Sequence, residues 1–386
     1  MNVNQSKWPQ HLYALDFSRG IAALSVVLWH WQHFAYTQNN ELALFQRETQ
    51  PFYGLFRIFY EAGAMGVQYF FVLSGFIFFW LYASSINTQL ISGFKFAIQR
   101  FSRLYPLHFA TLIFVAILQT IYMSLEDSAF IYKYNDVYHF ILNLLFATRL
   151  GLEDGPSYNA QVWSVSVEIV LYFIFFFTLT FRRGGWFFCL SISLASLIAA
   201  EFTENVILSA LSLFFFGGAV FYITKFASQG AKLLKLAIYS ATIFFWLIVI
   251  FDFYIFNISD DIVQQGILGK IILRGFSFYI LFPFTISSLC LFEVDNGNIF
   301  KSLSWIGDIS YSSYLIHFPL QLLFAIAVSC GILEQSFYLS SMYLIVFFLI
   351  LIPISYITFH RFERPAQSFL RKKLLYKSKK EIQTAD

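Results

Sequence analysis

Ten stretches of this chain run for about twenty residues each with almost no charge, and that feature decides the fold class. Crossing the hydrocarbon core of a bilayer as a helix takes about 20 apolar residues. Only a helix or a closed barrel satisfies its own backbone N–H and C=O groups there. The runs lie at 13–34, 64–84, 104–124, 162–181, 186–201, 206–224, 235–252, 269–291, 306–330 and 338–360. Charged residues are only 12% of the 386 residues, while hydrophobic ones are 58%; a soluble domain carries about 25% charge. A soluble globular enzyme, a disordered chain and a secreted disulfide scaffold are excluded. The expected fold is an all-α integral membrane protein with about ten transmembrane helices. An eleventh apolar stretch, 137–150, is short and carries His139 and Arg149; it reads as a re-entrant or interfacial helix.

Basic residues orient the spans. With the N-terminus inside, nineteen of the 25 Lys and Arg fall on the cytoplasmic side, including Lys7, Arg100, Arg103, Arg182, Arg183 and the tail from Arg361 onward. Five fall outside: Arg47, Arg57, Lys133, Arg149 and Lys270. That bias follows the positive-inside rule and places both termini in the cytoplasm. The first dozen residues lack a cleavable signal-peptide pattern, so the first apolar run is expected to direct insertion. The chain reads as one transmembrane domain, 1–365, followed by a basic cytoplasmic tail, 366–386, suited to anionic headgroups. Cys189, Cys290 and Cys330 sit in apolar runs at no metal-ligand spacing and read as small buried hydrophobes. The two longest external stretches, 35–63 and 125–161, are candidates to carry function.

Ionisable groups inside spans are costly and mark function by default. Three stand out: His30 in the first span, Glu168 in the fourth and His317 in the ninth. Arg274 and Asp308 lie nearer span ends, where snorkelling explains them. Arg19 precedes His30 by about three helical turns, which puts both on one face roughly 16 Å apart along the axis. A neutral imidazole at that depth can take a proton from a hydroxyl; the competing reading is a buried His bonded to a neighbouring helix. Arg100 and Arg103, three residues apart ahead of Pro106, share a helix face. Two guanidiniums there suit phosphate, and they equally suit ordinary membrane anchoring. Pro106 fits the first turn of the third span. Glu168 could orient a sugar hydroxyl or an imidazole, or serve as a structural partner. His317 follows a Ser/Tyr-rich face that helix–helix hydrogen bonding also explains. Walker A, GxGxxG, GxSxG and HExxH patterns are absent.

Taken in order, these segments resemble the integral-membrane acyltransferase-3 family. Leu15-Asp16-Phe17-Ser18-Arg19-Gly20 followed by His30 is similar to its opening motif, with Phe17-Ser18 where the family usually has Gly-Leu. Gly63–Phe76 resembles its second-span motif, and Arg100-x-x-Arg103-Leu104-Tyr105-Pro106 its arginine motif. Trp163–Glu168 preceded by Asn159, Gly307–His317, and Glu363-Arg364-Pro365 resemble the later ones. The resemblance implies transfer of an acyl group, usually acetyl, from acetyl-CoA to a hydroxyl of a surface glycan at a bacterial inner membrane. It implies His30 as general base with Glu168 in the catalytic set. Arg19, Arg100 and Arg103 would hold the CoA donor, and Asp16, Asn159, Trp163 and His317 the acceptor. The implied partners are acyl-CoA, a carbohydrate or lipid-linked glycan and membrane lipids, with no metal and no nucleic acid. Two rival readings remain: a transporter or flippase of a lipid-linked glycan, and an acyltransferase acting on a lipid or small-molecule acceptor.

Overall fold

The computed structural model describes residues 8–37, 40–41, 45–181, 184–230, 232–259, 262 and 266–383. Lys7, Arg182 and Arg183, used above to orient the spans, lie outside them. Among the described residues, nine helices are long and apolar enough to cross a membrane. The principal helices are α1 (Tyr13–Trp29), α2 (Gly66–Asn87), α3 (Gly93–Glu126), α4 (Val137–Leu144), α5 (Trp163–Thr180), α6 (Trp186–Thr203), α7 (Val206–Ser228), α8 (Lys232–Phe251), α9 (Phe282–Asn296), α10 (Ser310–Ser329), α11 (Ser341–Thr358) and α12 (Arg364–Gln383). The protein is an all-α, multi-pass membrane protein.

The expected tenth span, at the N-terminus, is divided. Its α-helical part is 17 residues, and it tightens into a 3₁₀ turn at His30–Ala35. His30 is the residue at which the helix changes pitch, so it does not continue the α-helical face of Arg19. The stretch 137–150 forms only the eight-residue α4, far too short to span, in line with a re-entrant or interfacial element. Pro106 does not open a helix. Ser92 caps α3 by accepting the Lys95 N–H at 3.3 Å, and the helix runs 34 residues with Pro106 inside it. At 1.5 Å per residue that is about 51 Å, longer than the hydrocarbon core, and the stretch bearing Arg100 and Arg103 belongs to its N-terminal third.

The chain forms two compact units. The first contains Met1–Ser25, Phe56–Asn87 and Phe177–Asp308; the second contains Val26–Leu55, Thr88–Phe176 and Ile309–Asp386. In the first unit α2 and α7 approach so closely that a Cβ on Gly75 would stand 1.8 Å from the Phe214 carbonyl oxygen, and one on Gly217 2.0 Å from that of Val72. Small residues at such crossings let helix backbones touch where lipid supplies no hydrophobic drive. The N-terminus of α1 is capped from a distance: Tyr13 and Ala14 N–H donate to the Glu293 carboxylate at 3.0 and 2.8 Å. In the second unit α3 and α10 enclose an apolar core of Leu112, Val115, Leu118, Phe318, Leu322 and Ala325, joined by Phe130, Ile131, Tyr132 and Tyr158 from the loop after α3.

Candidate active site

The second unit holds a cavity of about 370 Å³, within the size range of small-molecule sites. The end of α1 and its 3₁₀ turn supply Trp29, His30, Gln32, His33 and Tyr36. The segment between α3 and α5 supplies Ile131, Tyr132, Thr148, Arg149, Glu153, Pro156 and Ser157, and Ala160, Gln161 and Trp163 close the wall. Arg47 adds a further cation. Arg47, Arg149 and Glu153 all belong to the stretches that the basic-residue bias places outside.

The loop between α3 and α5 is held by its own hydrogen bonds. Asp136 caps α4 by accepting the His139 N–H at 2.9 Å, and its other oxygen lies 2.8 Å from His139 Nδ1. That backbone N–H, with the imidazole beside it, holds the Asp136 carboxyl below its usual range. Asn143 Nδ2 donates to Ser157 Oγ, and Thr148 and Ser166 share a hydrogen bond, both at 2.8 Å. Two residues on the cavity wall take left-handed backbone conformations, Ile131 at φ 62° and Arg149 at φ 59°. A β-branched residue there is strained, and such strain collects at functional sites.

Three imidazoles meet at the inner end of the cavity. Nδ1 of His30 lies 3.0 Å from Nε2 of His317. The ring of His30 also lies against that of His33, centroids 4.6 Å apart. Gln321, one turn beyond His317 on α10, ties two of them together. Its Nε2 donates to the His30 carbonyl at 2.8 Å, and its Oε1 lies 3.0 Å from His33 Nδ1. Flipping the amide would set oxygen against oxygen at His30, so the orientation is fixed. His33 therefore carries its proton on Nδ1, and its Nε2 faces the Tyr132 hydroxyl at 3.5 Å. Gln161 Nε2 donates to that hydroxyl at 3.3 Å. Burial pushes the Tyr132 phenol up, so it remains a donor. Among the described residues, no group of three or more His, Cys, Asp or Glu side chains could hold a metal ion.

The residues singled out from sequence fall into four places. His30 and Trp163 line the cavity. His317 and Asn159 are fully buried behind it, and Asn159 Nδ2 donates to the Leu315 carbonyl at 3.0 Å, pinning the loop to α10. Glu168, Arg100 and Arg103 gather elsewhere in the same unit, around Tyr172: Glu168 hydrogen-bonds its hydroxyl and the Arg100 guanidinium lies 5.8 Å from its ring centre. None of the three lines the cavity. The tail helix reaches that region, where Arg371 donates to Ser102 Oγ at 3.1 Å and to the Gln99 carbonyl at 3.2 Å. Asp16 and Arg19 belong to the first unit. There Arg19 pairs with Asp16 at 3.2 Å and donates to the Gly307 carbonyl at 2.9 Å, and Asp16 also holds His11 at 2.6 Å.

Sequence reading missed His33, Gln321, Tyr132 and Gln161. A signal existed for two of them. His33 follows His30 by three residues and Gln321 follows His317 by four, the spacings that share a helix face. Tyr132 and Gln161 arrive through loop geometry that has no pattern in the sequence.

The family described as an acyltransferase domain, acyltransferase-3, matches residues 12–360. No curated protein and no solved structure matches the chain. The match covers nearly the whole length, from the first span to the last, and includes every element that builds the cavity. The chain belongs to the acyltransferase-3 family.

Proposed function

We propose that the protein moves an acetyl group from cytosolic acetyl-CoA to a hydroxyl of a surface glycan, such as O-antigen, capsule or exopolysaccharide, in a bacterial inner membrane. The observation that carries this reading is the cavity itself. A buried imidazole, His30, borders it, and the aromatic residues Trp29, Tyr36, Tyr132 and Trp163 line its wall. Aromatic faces with a few convergent polar groups suit a sugar, whose ring presents both C–H faces and hydroxyls.

In this reading the acceptor oxygen attacks the thioester carbonyl carbon while its proton passes to His30. The carbon–sulfur bond then breaks, and the thiolate leaves with the proton that His30 returns. Trp163 contacts the acceptor. Arg100 and Arg103, at the N-terminal third of α3, hold the CoA phosphates as forked cations, and Glu168 keeps them oriented through Tyr172.

The test is surface-glycan NMR on the producing cell, comparing wild type, a deletion and His30→Ala. Acetyl signals lost in both mutants, with His30→Ala still present in the membrane at the wild-type level, support acetyl transfer and the role of His30. A positioned base contributes about 10²–10⁴-fold, so near-normal acetylation in His30→Ala removes it as the base. Unchanged acetylation in the deletion removes the glycan as acceptor.

A further inference from the structure

His317 does not reach the cavity. It is fully buried and absent from the lining, and what it touches is His30. One proton lies between His30 Nδ1 and His317 Nε2, and the ring that owns it decides what His30 presents to a substrate. The other nitrogen of His317, Nδ1, is buried with no hydrogen-bond partner. The backbone of Ser313 and Tyr314, one turn back on α10, lies beside the ring. Helix carbonyls point toward the C-terminal end, so the oxygens of residues 313 and 314 face residue 317. A bare ring nitrogen would set its lone pair against theirs, whereas a protonated one is attracted to them. His317 thus keeps its proton on Nδ1 and offers a bare Nε2. The shared proton then belongs to His30 Nδ1, which leaves His30 Nε2 bare.

We propose that His317 is the positioning residue for the His30 base, a role that rests on the acyl-transfer reading above. It accepts the Nδ1–H of His30, fixes the tautomer with Nε2 free toward the cavity, and sets the plane of the ring. When the acceptor hydroxyl attacks the thioester, its proton moves to His30 Nε2 and the ring becomes a cation. The hydrogen bond to His317 then has a charged donor and strengthens. As the carbon–sulfur bond breaks, the thiolate takes the proton from Nε2, and the neutral pair is restored. Nothing is oxidised or reduced, and His317 touches neither substrate. This is the logic by which a buried third group orients a catalytic base, with an imidazole in place of a carboxylate, so no net charge has to be buried in the membrane.

The experiment uses the purified full-length protein in detergent, with acetyl-CoA and the producing cell's surface polysaccharide stripped of its acetyl groups by mild alkali. His317→Leu removes the acceptor, and His317→Gln keeps one, because its side-chain amide oxygen reaches the position of Nε2. A hydrogen bond to a charged group is worth enough to lower kcat about 10- to 100-fold in His317→Leu. The KM values for both substrates should stay within about twofold, and His317→Gln should recover most of the loss. Wild-type kcat in His317→Leu overturns the proposal. A raised KM for polysaccharide at unchanged kcat overturns it too, because His317 would then contact the acceptor. So does a His317→Gln as slow as His317→Leu when both melt at the wild-type temperature. If His317→Leu does not fold, His317→Asn takes its place, its amide being too short to reach His30. No transfer by the wild-type protein refutes the function itself, a result distinct from all of these.

Discussion

Gln321→Leu should damage stability and turnover together, and the structure gives a size for each. The side chain is fully buried, and both ends of its amide are used, one on the His30 carbonyl and one on His33 Nδ1. Leucine fills the volume but leaves both partners without that bond. Each buried group so stranded costs about 1–3 kcal/mol, giving a loss of about 2–6 kcal/mol. The His30 backbone and the His33 ring would then lose their common anchor, and a shift of about 1 Å at a reacting group costs up to about 100-fold. Gln119 supplies a matched control. It is equally buried and also uses both amide ends, on the N–H and carbonyl of Phe130, but it does not line the cavity. Gln119→Leu should lose similar stability and keep its turnover. Equilibrium unfolding in detergent, followed by tryptophan fluorescence, measures the first quantity, and acetyl-CoA consumption with polysaccharide measures the second. The reasoning fails if Gln321→Leu unfolds within about 0.5 kcal/mol of wild type, the usual range for an indifferent substitution. It also fails if the two variants lose activity equally.

Other expectations follow from single contacts. Gly75→Ala would place a Cβ 1.8 Å from the Phe214 carbonyl oxygen, so it should abolish folded protein. Gly54→Ala, in the helix Tyr53–Ala62 with nothing within 4 Å of the new atom, should stabilise by about 0.5–1 kcal/mol; equal yields of the two in size-exclusion profiles would contradict the close approach of α2 and α7. Asp136→Ala should cost about 0.5–2 kcal/mol at neutral pH, the usual worth of a helix cap. Because the folded carboxyl titrates below its ordinary 3.8, its contribution is present above that pH and fades as pH falls through the folded value. Hydrogen exchange over 137–160 should thus distinguish wild type from variant at pH 7, and the difference should shrink as the pH falls below 3.8. Arg149→Gln, on the cavity wall beside Glu153 at 3.9 Å, should raise the KM for polysaccharide up to about tenfold with the KM for acetyl-CoA unchanged; movement of the donor constant instead would place Arg149 on the wrong substrate.

How much of this was readable in the sequence depends on what each feature rests on. Hydrophobic runs are a property of the chain alone, so nine spans came through among the described residues, three of them with an end moved by eleven residues or more. Pro106 shows the limit. A proline next to a span edge suggests a helix start, but Ser92 fourteen residues upstream offers a side-chain cap, and the helix begins there instead. His30 was legible because an ionisable group in an apolar run has few innocent explanations. Its depth on a straight helix was not, since the change to a 3₁₀ turn at His30–Ala35 is tied to Gln321, a residue nearly three hundred positions away. Glu168 was legible as a buried charge, yet its neighbours, Tyr172, Arg100 and Arg103, lie on helix faces that only the packing defines. The outer wall of the cavity was the least accessible. It is made from a loop whose Ile131 and Arg149 take conformations that their side chains disfavour, and no local propensity announces that.

The polar cluster also has to solve a problem that soluble enzymes meet less severely. A charged side chain deep in a membrane protein costs several kcal/mol, and an unpaired polar group costs nearly as much. Here the groups cancel one another's demands while staying neutral. Gln161 donates to Tyr132, Tyr132 faces His33, His33 binds Gln321, and Gln321 binds the carbonyl of His30. With His317 accepting from His30, His30 Nε2 is left bare on the ring that borders the cavity, while His317 Nδ1 and Gln161 Oε1 are buried without a partner. An acceptor left bare where a substrate hydroxyl can supply the missing donor is satisfied only when the cavity is filled.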